Sequence, residues 1–252
     1  MSLSALQAEG VTTGYGSVPV VSNVSMAASS GEVVVLVGPN GAGKSTFLKG
    51  VFGLLRHTTG RVVVDGLDVS GWPPHRVARS GMAYVPQVSN TFPSMSVTEN
   101  LEIGGFAAAV DLRQRIDEVL AIFPDLARSP RAKAGSLSGG QQNILGMARS
   151  LMLSPKVVLL DEPTAGLAPK YVGTVWEQVG RMAKAGTAVM VVEQNVELAM
   201  RHSDRVYVLV AGRVRLQGTP EEVRRHDLTA LFLGGAGRGV LEPADEQPTR
   251  PI

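Results

Sequence analysis

Gly38-Pro39-Asn40-Gly41-Ala42-Gly43-Lys44-Ser45, followed by Thr46, fits the spacing G-x-x-x-x-G-K-S/T. Such a loop cradles phosphate. Its glycines let successive backbone N–H groups converge on phosphate oxygens, and a helix starting there adds partial positive charge. In that arrangement Lys44 reaches the β and γ phosphates of a nucleotide and Ser45 ligates Mg²⁺. A second chemical group closes the run Val157-Val158-Leu159-Leu160-Asp161-Glu162. Taken alone, two acids ending an apolar strand describe a solvated strand end. Beside a phosphate loop they take on work, because a nucleotide–Mg²⁺ site needs a carboxylate on the metal's water shell and a base for the attacking water. Asp161 suits the first role and Glu162 the second. A third stretch, Leu137-Ser138-Gly139-Gly140-Gln141, puts a serine and two glycines at the start of an apolar-striped segment. That is a helix cap and also, through its N–H groups, a second anion site; the two readings are compatible.

These residues must be carried by strands and helices, and the hydrophobic pattern shows where. The run Val33–Val37 is expected as a strand covered on both faces, delivering the phosphate loop at its end. Phe47, Leu48, Val51, Phe52 and Leu55 recur at helical spacing and predict a helix over 44–55. Segments 11–13 and 20–26 read as strands, and 61–69 as a hairpin around Asp65-Gly66. Between about 88 and 155 the texture turns helical. Leu112, Ile116, Val119, Leu120 and Phe123 share one face, with Pro124 closing that segment, and a helix over 141–152 buries Ile144, Leu145, Met147, Ala148, Leu151 and Met152. A strand at 157–160, a helix over 169–185 stopped by Gly186, a strand at 187–192 and a hairpin over 206–216 turning at Gly212 follow. Apolar strands separated by helices favour a parallel sheet. Thr219-Pro220-Glu221-Glu222 is a capping box opening a last helical region towards Leu233. The expected fold class is therefore α/β: a P-loop nucleotide triphosphatase core with a parallel sheet, an N-terminal antiparallel β subdomain and an inserted helical subdomain. The domain is expected over 5–233, and the tail 235–252 is expected to be disordered.

Composition narrows the chemistry. The 252 residues contain no cysteine, which removes disulfides, Cys-ligated zinc, iron–sulfur centres and thiol catalysis together. His57, His75, His202 and His226 lie far apart without ligand spacing. Basic residues number 24 against 22 acidic, a shallow excess that does not suggest nucleic acid as a partner. No apolar run approaches the ~18 residues that cross a bilayer. The first residues have neither the basic start nor the apolar block of a targeting peptide, so the expected compartment is cytoplasmic.

Kinases and GTPases share the first two elements, and Leu137-Ser138-Gly139-Gly140-Gln141 chooses among them. On that signature the chain resembles the ATP-binding cassette (ABC) ATPases, over about residues 5–233. The resemblance implies that ATP, with Mg²⁺, is sandwiched between the phosphate loop of one subunit and the signature of another, so that dimerisation belongs to the chemistry. It further implies that Tyr15 stacks on adenine, that Gln87 in Tyr84-Val85-Pro86-Gln87 touches Mg²⁺ or water, and that Ser94 to Leu101 face membrane subunits. Finer features resemble the second ATPase subunit of branched-chain amino-acid importers. Gly166-Leu167-Ala168-Pro169 stands where most cassettes carry Ala-Leu-Asp-Pro, Gln194 stands where most carry the switch histidine, and 226–234 resembles that subgroup's closing helix. An amide at Gln194 can donate to the γ-phosphate but cannot carry a proton near neutral pH. Ala168 removes an acid from the usual contact between subunits. Asn143 stands where related signatures continue with Gln or Arg, a departure whose consequence the residues alone do not show.

The implied partners are two membrane permease subunits, a paralogous ATPase subunit or a second copy of this chain, and indirectly an extracytoplasmic solute-binding protein. The implied location is the inner face of the cell membrane. Urea and short-amide importers are the next candidates for cargo. Readings of another class are a cassette acting on nucleic acid or one driving an envelope complex; the long coiled coils, zinc cysteines and tandem cassettes of the nucleic-acid kind are missing from this sequence.

Overall fold

In the computed structural model, which describes residues 4–88, 90–106 and 111–232, strands β1 (Ser4–Tyr15) and β2 (Val18–Ser29) form an antiparallel hairpin. Strand β3 (Val33–Val37) runs into helix α1 (Lys44–Val51), and β4 (Thr58–Val64) and β5 (Leu67–Asp68) fold back as a second hairpin. Helix α2 (Pro74–Arg79) leads to β6 (Met82–Val85). The middle of the chain is helical, with α3 (Val97–Gly104), α4 (Leu112–Ile122), α5 (Pro124–Ala127) and α6 (Gly139–Ser150). Then β7 (Val157–Asp161), α7 (Pro169–Lys184), β8 (Ala188–Glu193) and α8 (Val196–Arg201) alternate. The hairpin β9 (Arg205–Val210) and β10 (Arg213–Gly218) precedes two short helices, α9 (Pro220–Arg224) and α10 (Leu228–Phe232).

Two sheets organise these elements: a four-stranded antiparallel sheet in the order β2-β1-β4-β5, and a six-stranded sheet in the order β10-β9-β3-β8-β7-β6. All neighbours in the larger sheet are parallel except the β9–β10 hairpin at its edge, so the expected parallel core is mixed there. The uninterrupted valines and leucines follow from burial on both faces. Val33, Val35 and Val37 point to the core shared with α6 and α7, whereas Val34 and Leu36 point to the core shared with α1 and the small sheet. β7 divides the same way, Val158 and Leu160 against Val157 and Leu159.

Several element ends differ from the sequence expectation, each for a local reason. Helix α1 stops at Val51 rather than 55, because Gly53 (φ 78) closes it. The Leu54 N–H bonds the Lys49 carbonyl at 2.8 Å and the Gly53 N–H bonds the Gly50 carbonyl at 3.0 Å, the paired bonds of a left-handed helix terminator. Pro124 ends α4 and also opens α5, where proline at the first position costs no hydrogen bond. The helix expected over 141–152 begins at Gly139, because Ser138 caps it, and passes into a 3-10 turn at Leu151–Leu153. The capping box at Thr219 forms and opens α9, and α10 lies within the stretch 226–234 where a closing helix is expected. Leu233 and the tail 235–252 lie outside the described residues.

Candidate functional site

Parallel pairing brings residues far apart in sequence to one edge. β3, β7, β8 and β6 all point the same way, with Val37 beside Glu193, Asp161 beside Val192, and Val85 beside Leu160. The segments that leave these strand ends are Gly38–Thr46, Glu162–Thr164, Gln194 and Gln87. Open α/β sheets bind ligands at this carboxyl edge.

The phosphate loop is shaped by close approach. A Cβ on Gly38 would come within 2.1 Å of the Leu209 carbonyl oxygen, and Gly43 adopts φ 102 as the N-cap of α1. No side chain caps that helix, so its first N–H groups face the loop's concavity. Lys44 is buried, and its Nζ donates to the carbonyls of Gly38 at 2.9 Å and Pro39 at 3.2 Å. It stands 3.9 Å from Glu162 Oε1. Burial lowers the Lys44 pKa, while the carboxylates of Glu162, Asp161 and Glu193 pull it back up.

Around that lysine sits an oxygen cluster. Ser45 Oγ donates to Asp161 Oδ1 at 2.6 Å, and the Tyr84 hydroxyl donates to Asp161 Oδ2 at 2.8 Å. Burial, then the Asp161 charge, raise the Tyr84 pKa, so the phenol stays a donor. Gln87 Nε2 donates to Glu162 Oε2 at 3.3 Å. Glu162 itself has φ 46. That left-handed conformation is costly for a side chain other than glycine, and the following Pro163 disfavours it further.

Glu193, at the end of β8, is a buried carboxylate that sequence reasoning passed over. Its Oε1 accepts from Thr164 Oγ1 at 2.6 Å and its Oε2 from the Gln194 N–H at 3.2 Å. Burial is the larger influence and raises its pKa; the hydrogen bonds oppose it. Gln194 is exposed beside it. Tyr84 was quoted only as a neighbour of Gln87. Its alternation with Ala83 and Val85 in β6 was the one available signal that it faces the acidic strand end.

The signature lies apart from this cluster. Among the described residues, no hydrogen bond or ion pair joins Leu137–Gln141 to Gly38–Thr46. Ser138 caps α6 in a full box: its N–H and Oγ both donate to Gln141 Oε1 at 3.0 Å, and its Oγ accepts from the Gln141 N–H at 3.4 Å. The cap expected at this helix start is present and occupies the N–H groups of Ser138 and Gln141. Gly139 and Gly140 keep their N–H groups at the helix start. Tyr15, with 55 % of its surface exposed, is at the tip of the β1–β2 hairpin, whose Val20 and Val21 pack against Gly43. Ala168 is the N-cap of α7 and offers no side-chain bond.

Phosphate loop, acidic strand end and mixed sheet define a P-loop nucleotide triphosphatase. The ABC transporter family profile matches residues 21–165. The probable branched-chain amino acid transport ATP-binding protein LivF of Archaeoglobus fulgidus is 37% identical over 219 residues, covering 86% of this chain and 93% of that protein. The lipopolysaccharide export system ATP-binding protein LptB of Haemophilus influenzae is 35% identical over 237 residues, covering 92% and 98%. Among solved structures, the ADP conformation of MJ1267, an ATP-binding cassette of an ABC transporter, superimposes with a TM-score of 0.82 at 25% identity, covering 92% of this chain and 99% of that one. This chain belongs to the ABC transporter family, as one of its ATP-hydrolysing subunits. No helix among the described residues is long and apolar enough to cross a membrane.

Proposed function

We propose that this cassette powers a membrane importer of branched-chain amino acids, docked on two permease subunits at the inner face of the membrane. Hydrolysis is assigned to the cluster at the sheet edge. ATP lies in the loop Gly38–Thr46 with Tyr15 against the adenine, Lys44 meets the β and γ phosphates, and Glu162 takes the proton of the attacking water. The single observation that carries this is the convergence of Lys44, Ser45 and Glu162 on Asp161's strand end, with Ser45 Oγ and Asp161 Oδ1 2.6 Å apart.

The residues fit Mg²⁺. Ser45, Asp161 and Gln87 offer hard oxygen donors, and no group of three His, Cys, Asp or Glu that could hold a metal by itself occurs among the described residues. An ion held by one carboxylate, a hydroxyl and the substrate's own phosphates has this donor set. Ser45, Asp161 and Gln87 would hold it, and it would supply neutralisation of phosphate charge. Gln194 donates to the γ-phosphate and moves no proton. In the pair, whether with a paralogous subunit or a second copy, the Gly139 and Gly140 N–H groups of this chain's α6 serve the partner's nucleotide as the second anion site.

The cargo reading rests on LivF, together with Gly166-Leu167-Ala168-Pro169 and Gln194. Similarity to LptB over 92% of the chain favours one second reading, the ATPase of a lipopolysaccharide exporter. Co-purification from detergent-solubilised membranes tests both. Hydrophobic permeases together with leucine uptake lost on deletion support the importer; recovery of exporter subunits with uptake intact overturns it.

A further inference from the structure

Asn143 is the unexplained departure in the signature helix, and its side chain spans two segments. Its Nδ2 donates to the Pro163 carbonyl at 2.9 Å, and its Oδ1 accepts from Asn90 Nδ2 at 3.2 Å. Asn90 is 6% exposed and fits against Gly146 of α6, where any Cβ would stand 2.7 Å from its Cγ. Pro163 follows Glu162, whose backbone is held at φ 46, and Asn90 lies three residues beyond Gln87, the donor to Glu162. A strained residue persists only where its surroundings over-determine it. Besides Gln87 and Lys44 at the Glu162 side chain, a handful of bonds hold the turn itself. The Glu162 N–H bonds the Val192 carbonyl at 3.0 Å, the Ala165 N–H bonds the Glu162 carbonyl at 3.1 Å, Glu193 holds Thr164, and Asn143 holds Pro163. Of these, only Asn143 comes from α6, the helix that begins at Ser138.

We infer that Asn143 is a positioning residue that fixes the Glu162 turn and the Gln87 segment to the signature helix, so that any shift of α6 reaches Glu162 directly. This rests on the assignment of Glu162 as the base. The mechanism is a matter of reach. Oxygen and nitrogen of one short amide are both committed, so α6 cannot move relative to Pro163 or Asn90 without breaking a hydrogen bond. Occupation of the Gly139 and Gly140 N–H groups by the partner's nucleotide acts on the same helix five residues or fewer from Asn143. Glu162 is then set in place when the second anion site fills.

The test separates the two arms, using the full chain in its co-purified complex. Asn143→Asp keeps an acceptor for Asn90 but sets an oxygen against the Pro163 carbonyl. We expect kcat to fall about tenfold, with KM and the dissociation constant for ATP within about twofold of the parent and the thermal transition lowered by only about 2–4 °C. Asn143→Gln, which retains both groups, recovers part of the loss. Should Asn143→Asp not fold, Asn143→Ala against Asn143→Gln decides: alanine must lose kcat and glutamine regain it. Parental kcat in Asn143→Asp, equal kcat in the alanine and glutamine variants, or a kcat loss matched by lost ATP affinity overturns the inference. Glu162→Gln run in parallel keeps the two claims apart. If it turns over normally, the base assignment fails; if it is inactive while Asn143→Asp is normal, only the role of Asn143 fails.

Discussion

Two glycine-bearing helix starts in this chain, one at Gly43 and one at Ser138, solve the same local problem differently. At Gly43 no side chain caps α1, and the nearby lysine folds onto the loop's own carbonyls, so the N–H groups are left to a ligand. At Ser138 the sequence caps itself, with Gln141 taking the Ser138 N–H and the Ser138 hydroxyl taking the Gln141 N–H. A helix end whose donors lack partners is costly in isolation. In the function proposed above the first start is a site that a nucleotide completes, whereas the second is already capped within the single protomer and has two glycine N–H groups left to offer a partner.

Glu162→Gln strikes the first site and carries the largest expected effect, a fall in turnover of about 10²- to 10⁴-fold with ATP binding retained. Steady-state hydrolysis beside equilibrium nucleotide binding measures it, and unchanged turnover would remove Glu162 as base. Gln194→Ala should cost about a hundredfold or less, because the amide only donates. A loss equal to that of Glu162→Gln would make Gln194 catalytic in its own right. Ser138→Ala sharpens the contrast between the two starts. It should cost about 1 kcal/mol of stability through the lost cap and lower turnover of the assembled pair, while ATP affinity of the dilute protomer stays at the parental value. A weakened protomer affinity would mean that the two starts share one nucleotide within a single chain.

The smallest expected effect concerns Glu193. Burial raises its folded-state pKa above the ordinary value of 4.5, so the folded protein binds its proton more tightly than the unfolded chain does. Stability linked to this group is accordingly present at low pH and declines as pH climbs through the window above 4.5. Glu193→Gln should flatten that decline above pH 4.5 in denaturant titrations. An unaltered slope would mean that the Thr164 and Gln194 hydrogen bonds cancel the burial.

Much of the larger sheet was legible because its strands are buried on both faces and therefore read as unbroken apolar runs, as at Val33–Val37 and Val157–Asp161. Helix ends were less legible. The stop of α1 is made locally by Gly53 at φ 78, but the apolar Leu54 and Leu55 beyond it continue the helical spacing and hide that signal. The same holds at the site. Lys44, Ser45, Asp161 and Glu162 were visible because phosphate chemistry demands these residue types next to a strand end. Tyr84, Glu193 and Asn90 were not, and Asn143 stood out only as a departure without a consequence, since an isolated tyrosine, glutamate or asparagine has no meaning until its neighbour is known.

Composition and local order alone determined that this chain has a phosphate loop after a buried strand, acids at the end of another, and a second glycine-bearing helix start. Those are properties of contiguous residues, set by backbone geometry and hydrophobic period. Tertiary structure alone decided that the first two meet within hydrogen-bond distance, that no hydrogen bond joins the third to them among the described residues, and that Asn143 of the third's helix donates to the carbonyl of Pro163, the residue after Glu162. Parallel strand pairing aligns carboxyl ends irrespective of their separation in sequence, and only the register of that pairing says which side chains touch.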